Sequence, residues 1–237
     1  MKILSVDTST PTCTVGIADG HRVLAESVDS SGRTHARHLM AMIDGAIAVS
    51  GIPIQAIDGF GVVTGPGTFT GLRIGISTIK GLAFALRRPV VGITSLEALA
   101  AQADPTTKLV CPVMDARRGE IYYGFYSSEH GELTQMGDHR VGSPSEVAKR
   151  VGESCRFIGK GARLYQETFK KALGPLARFS EAGRDTILAE TITGLALKRL
   201  RESEAPDLHR VSPCYIRRSD AEVHRGGRLT PPLPSVT

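Results

Sequence analysis

The apolar positions of the first hundred residues alternate between the two-residue period of strands and the 3.6-residue period of helices. Strands are predicted from three runs, KILSVD, CTVGIAD and HRVLAESV. The Asp19-Gly20 pair predicts a tight hairpin, because Gly accepts the positive φ that such a turn needs. A helix is predicted from HARHLMAMIDGAIAVS, a buried strand from IDGFGVVT, and a second helix from about residue 70 to Leu86. A short strand, VVGI, and a helix, SLEALAAQA, complete this half.

The same order of elements restarts near residue 104. Strands are predicted from KLVCPVM, EIYYGFY, GELTQM and CRFIG, and long helices from ARLYQETFKKAL and DTILAETITGLALKRLRE. In SPSEVAKRV, Ser143 is a helix cap, Pro144 takes the first position and Glu146 closes a capping box. We therefore predict an α/β fold with two βββαβα-type subdomains, residues 1–104 and 105–223, and a disordered Pro/Gly-rich tail at 224–237. Three antiparallel strands feeding α/β crossovers, used twice, is the plan of the actin-like ATPase superfamily.

Composition and charge narrow the class of protein only a little. Hydrophobic residues make up 41% and charged residues 22% of the chain, which is ordinary for a soluble globular protein. The net charge of +5 permits a nucleic acid as partner, and a basic protein without that role fits it equally well. The N-terminal apolar run is short and broken by Asp7, and no later run approaches about 20 apolar residues, so we expect no secretory leader and a cytoplasmic protein that does not enter a membrane. Its four cysteines lie far apart and are expected to be free thiols rather than zinc ligands.

The stretch TGPGTFTGLRIG, residues 64–75, follows a predicted strand and opens a helix, as phosphate-binding loops do. It lacks the Lys of a Walker A loop, and its G-x-G-x-x-x-G spacing is one residue longer than the dinucleotide fingerprint. One hypothesis is a free-standing nucleotide-dependent enzyme, an actin-like kinase or an NADP-binding oxidoreductase, that uses residues 65–75. The favoured hypothesis is packing. Gly71, Gly75 and Gly81 each weaken the helix by about 1 kcal/mol relative to Ala, which indicates a face where something approaches closely.

Five segments together resemble the bacterial TsaB family, also called YeaZ, of tRNA threonylcarbamoyladenosine biosynthesis proteins. They are MKILSVDTST, GPGTFTGLRIGISTIKGLAFA, GITSLEALA, MDARRGEIYYGFY and CYIRRSDAEV, and the resemblance extends from Met1 to about Val223. It implies an actin-like fold and a noncatalytic scaffold or activator subunit without a cofactor. The complex it implies forms N6-threonylcarbamoyladenosine next to the anticodon of tRNAs that read codons beginning with A. The implied partners are the catalytic subunit TsaD in a heterodimer, the ATPase TsaE, and tRNA reached through the complex; alone, the chain is expected to form a homodimer.

Two departures from related motifs accompany the resemblance. TsaD carries a metal-binding histidine pair spaced H-x-x-x-H, and the matching positions here are Ser95 and Leu99, so we expect neither a metal site nor catalytic residues. Actin-like ATPases carry Asp-x-Gly-Thr on the first hairpin, where this chain has DTST. Asp7, Ser9 and Thr10 are therefore interpreted as a degenerate phosphate loop, and ATP binding by this chain alone is not expected.

The resemblance also implies a docking surface for TsaD, or for a second copy of the chain, on the first two helices. The residues assigned to it are Leu39, Met40, Met42, Ile43, Ala46 and Ile47 on the first helix and Gly71, Leu72, Gly75, Ile76 and Ile79 on the second. From their periodicity alone, the same stripes would be core. Met42→Asp or Ile76→Asp is predicted to abolish docking while the chain stays folded.

Two groups of polar residues, an arginine pair and a histidine pair, each allow a structural and a functional interpretation. Arg117 and Arg118, next to Asp115 on a predicted hairpin turn, belong either to a solvated turn or to a contact for tRNA or a partner. His35 and His38 have a spacing that suits a metal. Because the sequence offers no evident third ligand, a solvated or interface helix face is favoured for this pair.

Overall fold

The first half of the chain folds in the predicted order of elements. The computed structural model describes residues 1–32, 35–104, 106–129, 132–181, 183–202 and 210–217. The elements of this half are β1 (Lys2–Asp7), β2 (Cys13–Asp19), β3 (Arg22–Asp29), α1 (His35–Ser50), β4 (Gly59–Gly65), α2 (Phe69–Leu86), β5 (Val90–Thr94) and α3 (Ser95–Ala100).

Strand β1 is the centre of the first sheet, whose order is β3-β2-β1-β4-β5. Strands β1, β2 and β3 run antiparallel, and Gly20 has a φ of 60° in the predicted Asp19-Gly20 hairpin. Strands β4 and β5 run parallel to β1, because helices α1 and α2 carry the chain back between them. Every residue of β4 is buried, as predicted for a central strand that is covered on both faces.

The second half repeats this plan with interrupted strands. Its strands are β6 (Leu109–Arg117), β7 (Glu120–Tyr123), β8 (Tyr126–Glu129), β9 (Glu132–Gln135), β10 (Arg140–Gly142), β11 (Cys155–Ile158) and β12 (Ala177–Phe179). Strand β6 pairs antiparallel with both β7 and β8, so the predicted strand EIYYGFY is broken at Gly124 and Phe125. Strand β9 pairs with β8, and β10 pairs with β7. Together β9 and β10 take the place of the third antiparallel strand of the first half. Strand β11 lies parallel beside β6, and β12 beside β11.

The helices of the second half are α4 (Pro144–Ala148), α5 (Lys160–Leu164), α6 (Gln166–Leu173) and α7 (Ala189–Glu202). The predicted capping box of Ser143 and Glu146 is present at the start of α4. The predicted helix ARLYQETFKKAL is instead two helices, because Tyr165 leaves helical geometry with a φ of −108° and a ψ of 21°. Helix α7 begins four residues later than predicted. The backbone before it is bonded to Gln102, which donates to the carbonyl of Thr186 at 3.0 Å and accepts from the N–H of Leu188 at 2.7 Å.

Helices cover both faces of the first sheet. Helices α1 and α2 pack on one face, and α7, from the second half of the chain, packs on the other. Glycines on this second face let α7 approach closely: a Cβ at Gly16 would lie 2.3 Å from the Cβ of Ala189, and one at Gly61 would lie 2.8 Å from that of Ala196. The boundary at residue 104 remains a prediction, and the predicted tail at 224–237 lies outside the described residues.

Helix α2 is the one helix, among the ranges described above, with the length and mean hydropathy (1.2) of a membrane-spanning segment. Its inner side chains Leu72, Ile76 and Ile79 are buried in the core beneath the first sheet, together with Leu39 and Ile43 of α1. The core-helix interpretation of its apolar stripe accounts for these residues.

Candidate functional site

The glycines at the start of α2 pack against the first hairpin turn, residues 7–12. The N–H of Thr68 donates to the carbonyl of Ser9 at 2.7 Å, and a Cβ at Gly67 would lie 2.2 Å from that oxygen. A Cβ at Gly71 would lie 2.1 Å from the carbonyl oxygen of Thr8, and one at Gly75 would lie 2.2 Å from the Thr8 hydroxyl. The close approach that the sequence indicated at these glycines is therefore made by the chain itself.

Gly65 faces a different part of the chain. Its φ is +115°, and a Cβ there would lie 2.8 Å from the carbonyl oxygen of Cys214. The N–H of Cys214 donates to the carbonyl of Thr64 at 2.7 Å. The glycine turn, residues 65–68, thus has protein backbone on both sides.

A cavity of about 330 Å³ lies between the turns of the two sheets. Its walls come from the first hairpin turn, the glycine turn, the hairpin between β6 and β7, the start of α5, the residues before α7, and residues 214–217. The apolar part includes Phe69, Leu99 and Met114. On the polar side, the Nζ of Lys160 donates to the hydroxyl of Thr12 at 3.0 Å. The volume falls in the range of small-molecule sites.

Of the predicted phosphate-loop residues, Ser9 and Thr10 line this cavity, and Asp7 is buried beside them. Asp7 accepts the N–H of Ser9 at 2.7 Å. Burial raises the pKa of Asp7 to about 6, although hydrogen bonding to Ser9 and the positive charges of His35 and Lys160 act against that rise. The His35 ring nitrogen Nε2 lies 2.8 Å from the carbonyl oxygen of Thr10. Both the carboxylate and the backbone of this loop therefore have partners within the chain.

Arg117 and Arg118 also line the cavity, at the tip of the β6–β7 hairpin. Both have a left-handed backbone, with φ of 62° and 56°, and Gly119 follows at 78°. Asp115 supports the turn by accepting the N–H of Arg117 at 2.9 Å. A left-handed backbone costs a non-glycine residue roughly 1–2 kcal/mol, and such strain concentrates at functional sites. The contact role of these two arginines remains a prediction.

Ser95 and Leu99, at the positions of the TsaD histidine pair, are both buried at the start and the middle of α3. The hydroxyl of Ser95 donates to the carbonyl of Pro66 at 2.7 Å and so ties α3 to the glycine turn. Within the residues that the structure describes, no group of three or more His, Cys, Asp or Glu side chains is placed to hold a metal. The four cysteines are free, and three of them are buried.

The predicted docking residues divide between two faces of α1 and α2. Eight of the eleven are buried in the chain's own core: Leu39, Ile43, Ala46, Gly71, Leu72, Gly75, Ile76 and Ile79. Met42 and Ile47 pack against that core and are half-buried. Only Met40 is exposed, with 47% of its surface accessible. The apolar stripe of each helix covers the first sheet, and the docking role of these residues remains a prediction.

The opposite face of the two helices holds, Met40 apart, residues outside the predicted docking set. We call it the outer face and define it as Met40, Ala41, Gly45 and Ala48 of α1 with Ser77, Gly81, Phe84 and Ala85 of α2, all of them exposed. Phe84 is 76% exposed. Among the described residues, none would lie within 4 Å of a Cβ at Gly45 or Gly81. The sequence signal for this face was Phe84 standing outside the buried apolar stripe.

Comparison with known proteins identifies the family. The family model described as TsaD, tRNA N6-adenosine threonylcarbamoyltransferase, matches residues 22–225. The tRNA threonylcarbamoyladenosine biosynthesis protein TsaB of Bacillus subtilis (strain 168) is 30% identical over 226 residues, which cover 94% of this chain and 97% of that protein. The chain belongs to the TsaB family. The predicted membership of this family of tRNA threonylcarbamoyladenosine biosynthesis proteins is confirmed.

Solved structures agree with this TsaB-family assignment and with the predicted fold. YeaZ from Pseudomonas aeruginosa superposes with a TM-score of 0.75 at 30% identity, over 90% of this chain and 99% of that one. The ROK hexokinase from Thermus thermophilus superposes with a TM-score of 0.52 at 14% identity, over 86% of this chain and all (100%) of that one. The second likeness concerns the fold alone, and it confirms the predicted actin-like ATPase fold.

Proposed function

We propose that this TsaB-family chain is a noncatalytic subunit of the complex that forms N6-threonylcarbamoyladenosine in tRNA, and that it docks on TsaD through the outer face of α1 and α2. In this proposal TsaE and tRNA meet the chain as part of the larger complex in the cytoplasm. Without TsaD, the same face is covered by a second copy of the chain.

The outer face is the observation that carries the proposal. Gly45 and Gly81 each cost their helix about 1 kcal/mol relative to Ala, and no contact with the residues that the structure describes requires a glycine at either position. A glycine of this kind is useful where a partner backbone comes close. The exposed side chains of Phe84 and Met40 lie on the same face as these two glycines. Aromatic and Met side chains are enriched in the buried centres of protein interfaces.

The noncatalytic part of the proposal is supported by the positions that replace the TsaD histidines. Leucine has no ligating atom, and the Ser95 hydroxyl is engaged with the Pro66 carbonyl. Both side chains are buried, and Leu99 contributes only an apolar surface to the cavity wall. The role that fits these positions is packing of α3 against the glycine turn.

The alternative, a nucleotide-dependent enzyme using residues 65–75, has less support. A phosphate-binding loop needs free N–H groups and space at its glycines. Here the N–H of Thr68 is bonded to Ser9, and the space at Gly67, Gly71 and Gly75 is filled by the first hairpin turn. These contacts favour a packing role for the glycine turn, against the first hairpin turn, over a role in nucleotide binding.

The docking proposal is tested with two charge substitutions and a matched control. Phe84→Glu and Met40→Glu each place a carboxylate on the outer face. The control, Met136→Glu, alters a Met of similar exposure (52%) that directly follows β9 of the second half. We expect each outer-face variant to weaken binding to TsaD in a calorimetric titration by at least about tenfold, because an unpaired charge is buried at the interface. Met136→Glu is expected to bind as the unmodified chain does.

The variants must also remain folded, which their circular dichroism and melting temperature report. Met42→Asp and Ile76→Asp are unsuitable for this test, because Ile76 is buried and Met42 packs on the core. If folded Phe84→Glu and Met40→Glu bind TsaD with unchanged affinity, the outer face is not the docking surface.

A further inference from the structure

Residues 211–217, which we call the clasp, cross from α2 to the second sheet without forming a helix or strand. At one end Val211 is buried in the core under the first sheet, and its carbonyl accepts from the Nζ of Lys80 at 3.1 Å. The ring of Tyr215 stacks on Phe69 with centroids 5.1 Å apart. The Tyr215 hydroxyl accepts from the Nε of Arg73 at 3.1 Å. The clasp is therefore tied to α2 at its first turns, through Phe69 and Arg73, and again at Lys80.

The other end of the clasp is tied to the second sheet. The guanidinium of Arg217 donates to the carbonyl of Ala116 at 3.1 Å and pairs with the carboxylate of Glu120. Both partners belong to the β6–β7 hairpin that carries Arg117 and Arg118. The clasp thus spans the gap between the glycine turn and this hairpin.

The clasp is also a wall of the cavity. Residues 214–217 line it, and the carbonyl of Cys214 takes the space beside Gly65. Of the seven clasp residues only Val211 is buried, and Ile216 is half-buried against the core around α3 and α7. Lifting residues 212–217 therefore uncovers mainly this side chain and the stacked face of Tyr215. Segments with few buried apolar contacts and no regular structure open locally at a lower free energy than the whole fold.

We propose that the clasp is a cover that opens and closes over the cavity independently of global unfolding, and that the Glu120–Arg217 pair and the Tyr215–Phe69 stack hold it closed. Opening detaches the glycine turn from the β6–β7 hairpin and uncovers the cavity. This role concerns the chain alone and does not depend on the proposed docking to TsaD.

Cys214 reports the opening, because the other three thiols are buried in the two sheets. The full-length protein is pulsed with N-ethylmaleimide, and modification of each cysteine is followed by mass spectrometry. A synthetic peptide of residues 210–217 gives the rate for an unprotected Cys214. The variants are Glu120→Gln and Tyr215→Ala, with Glu132→Gln, an exposed carboxylate on β9, as the matched control.

We expect Cys214 to react more slowly than the peptide by about tenfold or more, and each clasp variant to speed its reaction by about fivefold to tenfold. The control should leave the rate unchanged, and Cys13, Cys111 and Cys155 should stay slow in every variant. Two results would overturn the proposal. One is a Cys214 that reacts as fast as the peptide, which means that the clasp is not closed. The other is four cysteines that react together, which means that Cys214 is exposed only by global unfolding.

Discussion

Glycines lie on both sides of the helix pair α1 and α2, and their surroundings are opposite. On the inner side, Gly71 and Gly75 are pressed against Thr8, so that no side chain of any size fits. On the outer side, Gly45 and Gly81 have open space. The inner glycines are explained by the fold itself. The outer glycines weaken their helices without an internal reason, and in our proposal the reason is a partner.

The largest change in stability is expected from substituting an inner glycine of α2 with Ala, compared with the same substitution at an outer glycine of that helix. Gly71→Ala places a Cβ 2.1 Å from a backbone oxygen, so α2 or the first hairpin turn must move. We expect it to lower the free energy of unfolding by about 3 kcal/mol or more, measured by urea denaturation. Gly81→Ala, three turns further along α2, is the control. Equal stability of the two variants would contradict the assignment of Gly71 to close packing.

A smaller change in stability is expected from Asp7. This residue lies at the start of the first hairpin turn, which packs against Gly71 and Gly75. Its folded-state pKa is raised to about 6 from an ordinary value of 3.8, so the folded chain holds the proton more tightly than the unfolded chain. This contribution to stability is present below pH 3.8 and is lost as the pH rises through 6, with a magnitude on the order of 2–3 kcal/mol.

Asp7→Asn is expected to remove this pH dependence and to keep the hydrogen bond from Ser9. The measurement is the free energy of unfolding of both proteins at several pH values between 4 and 7. The difference between variant and unmodified chain should grow in favour of the variant as the pH rises. A difference that is constant over this range would mean that Asp7 titrates normally.

The smallest change in stability is expected for Ala substitutions of the outer glycines. These variants distinguish a glycine needed for packing within the chain from one needed for contact with a partner. Gly45→Ala and Gly81→Ala should each stabilise the isolated chain by about 0.5–1 kcal/mol, because Ala is the better helix former and no described residue is close enough to oppose its methyl group. The same substitutions should weaken binding to TsaD and self-association, since the methyl groups fill the space of the partner. Chemical denaturation and analytical ultracentrifugation measure the two effects. Variants that are more stable and still associate normally would leave the outer glycines without an explanation.

Local signals in the sequence were sufficient for much of the fold. The Asp19-Gly20 hairpin and the capping box of Ser143 and Glu146 depend on neighbouring residues, and both are present. The order of strands and helices followed from their periods. The start of α7 was not predictable in this way, because it is set by Gln102, which lies more than eighty residues earlier.

The site was predicted less completely, for the same physical reason. Ser9, Thr10, Arg117 and Arg118 do line one cavity, as turns at the same edge of two sheets allow. The periodicity of α1 and α2 indicated a core stripe, which the structure has. The docking assignment came from the family resemblance, which does not say which face of each helix the sheet covers. Phe84 and the clasp were missed, because an exposed aromatic and a segment without regular structure carry no periodic signal.

The central claim is that this chain is needed for tRNA modification through docking and not through chemistry of its own. The most direct measurement is a transfer assay with tRNA, labelled threonine, bicarbonate, ATP, the adenylate-forming enzyme, TsaD and TsaE, run with this chain, without it, and with Phe84→Glu or Met136→Glu in its place. We expect label in tRNA only when TsaD and a docking-competent chain are both present, so Met136→Glu supports transfer and Phe84→Glu does not. Full transfer without this chain, or label transferred by this chain in the absence of TsaD, would contradict the account.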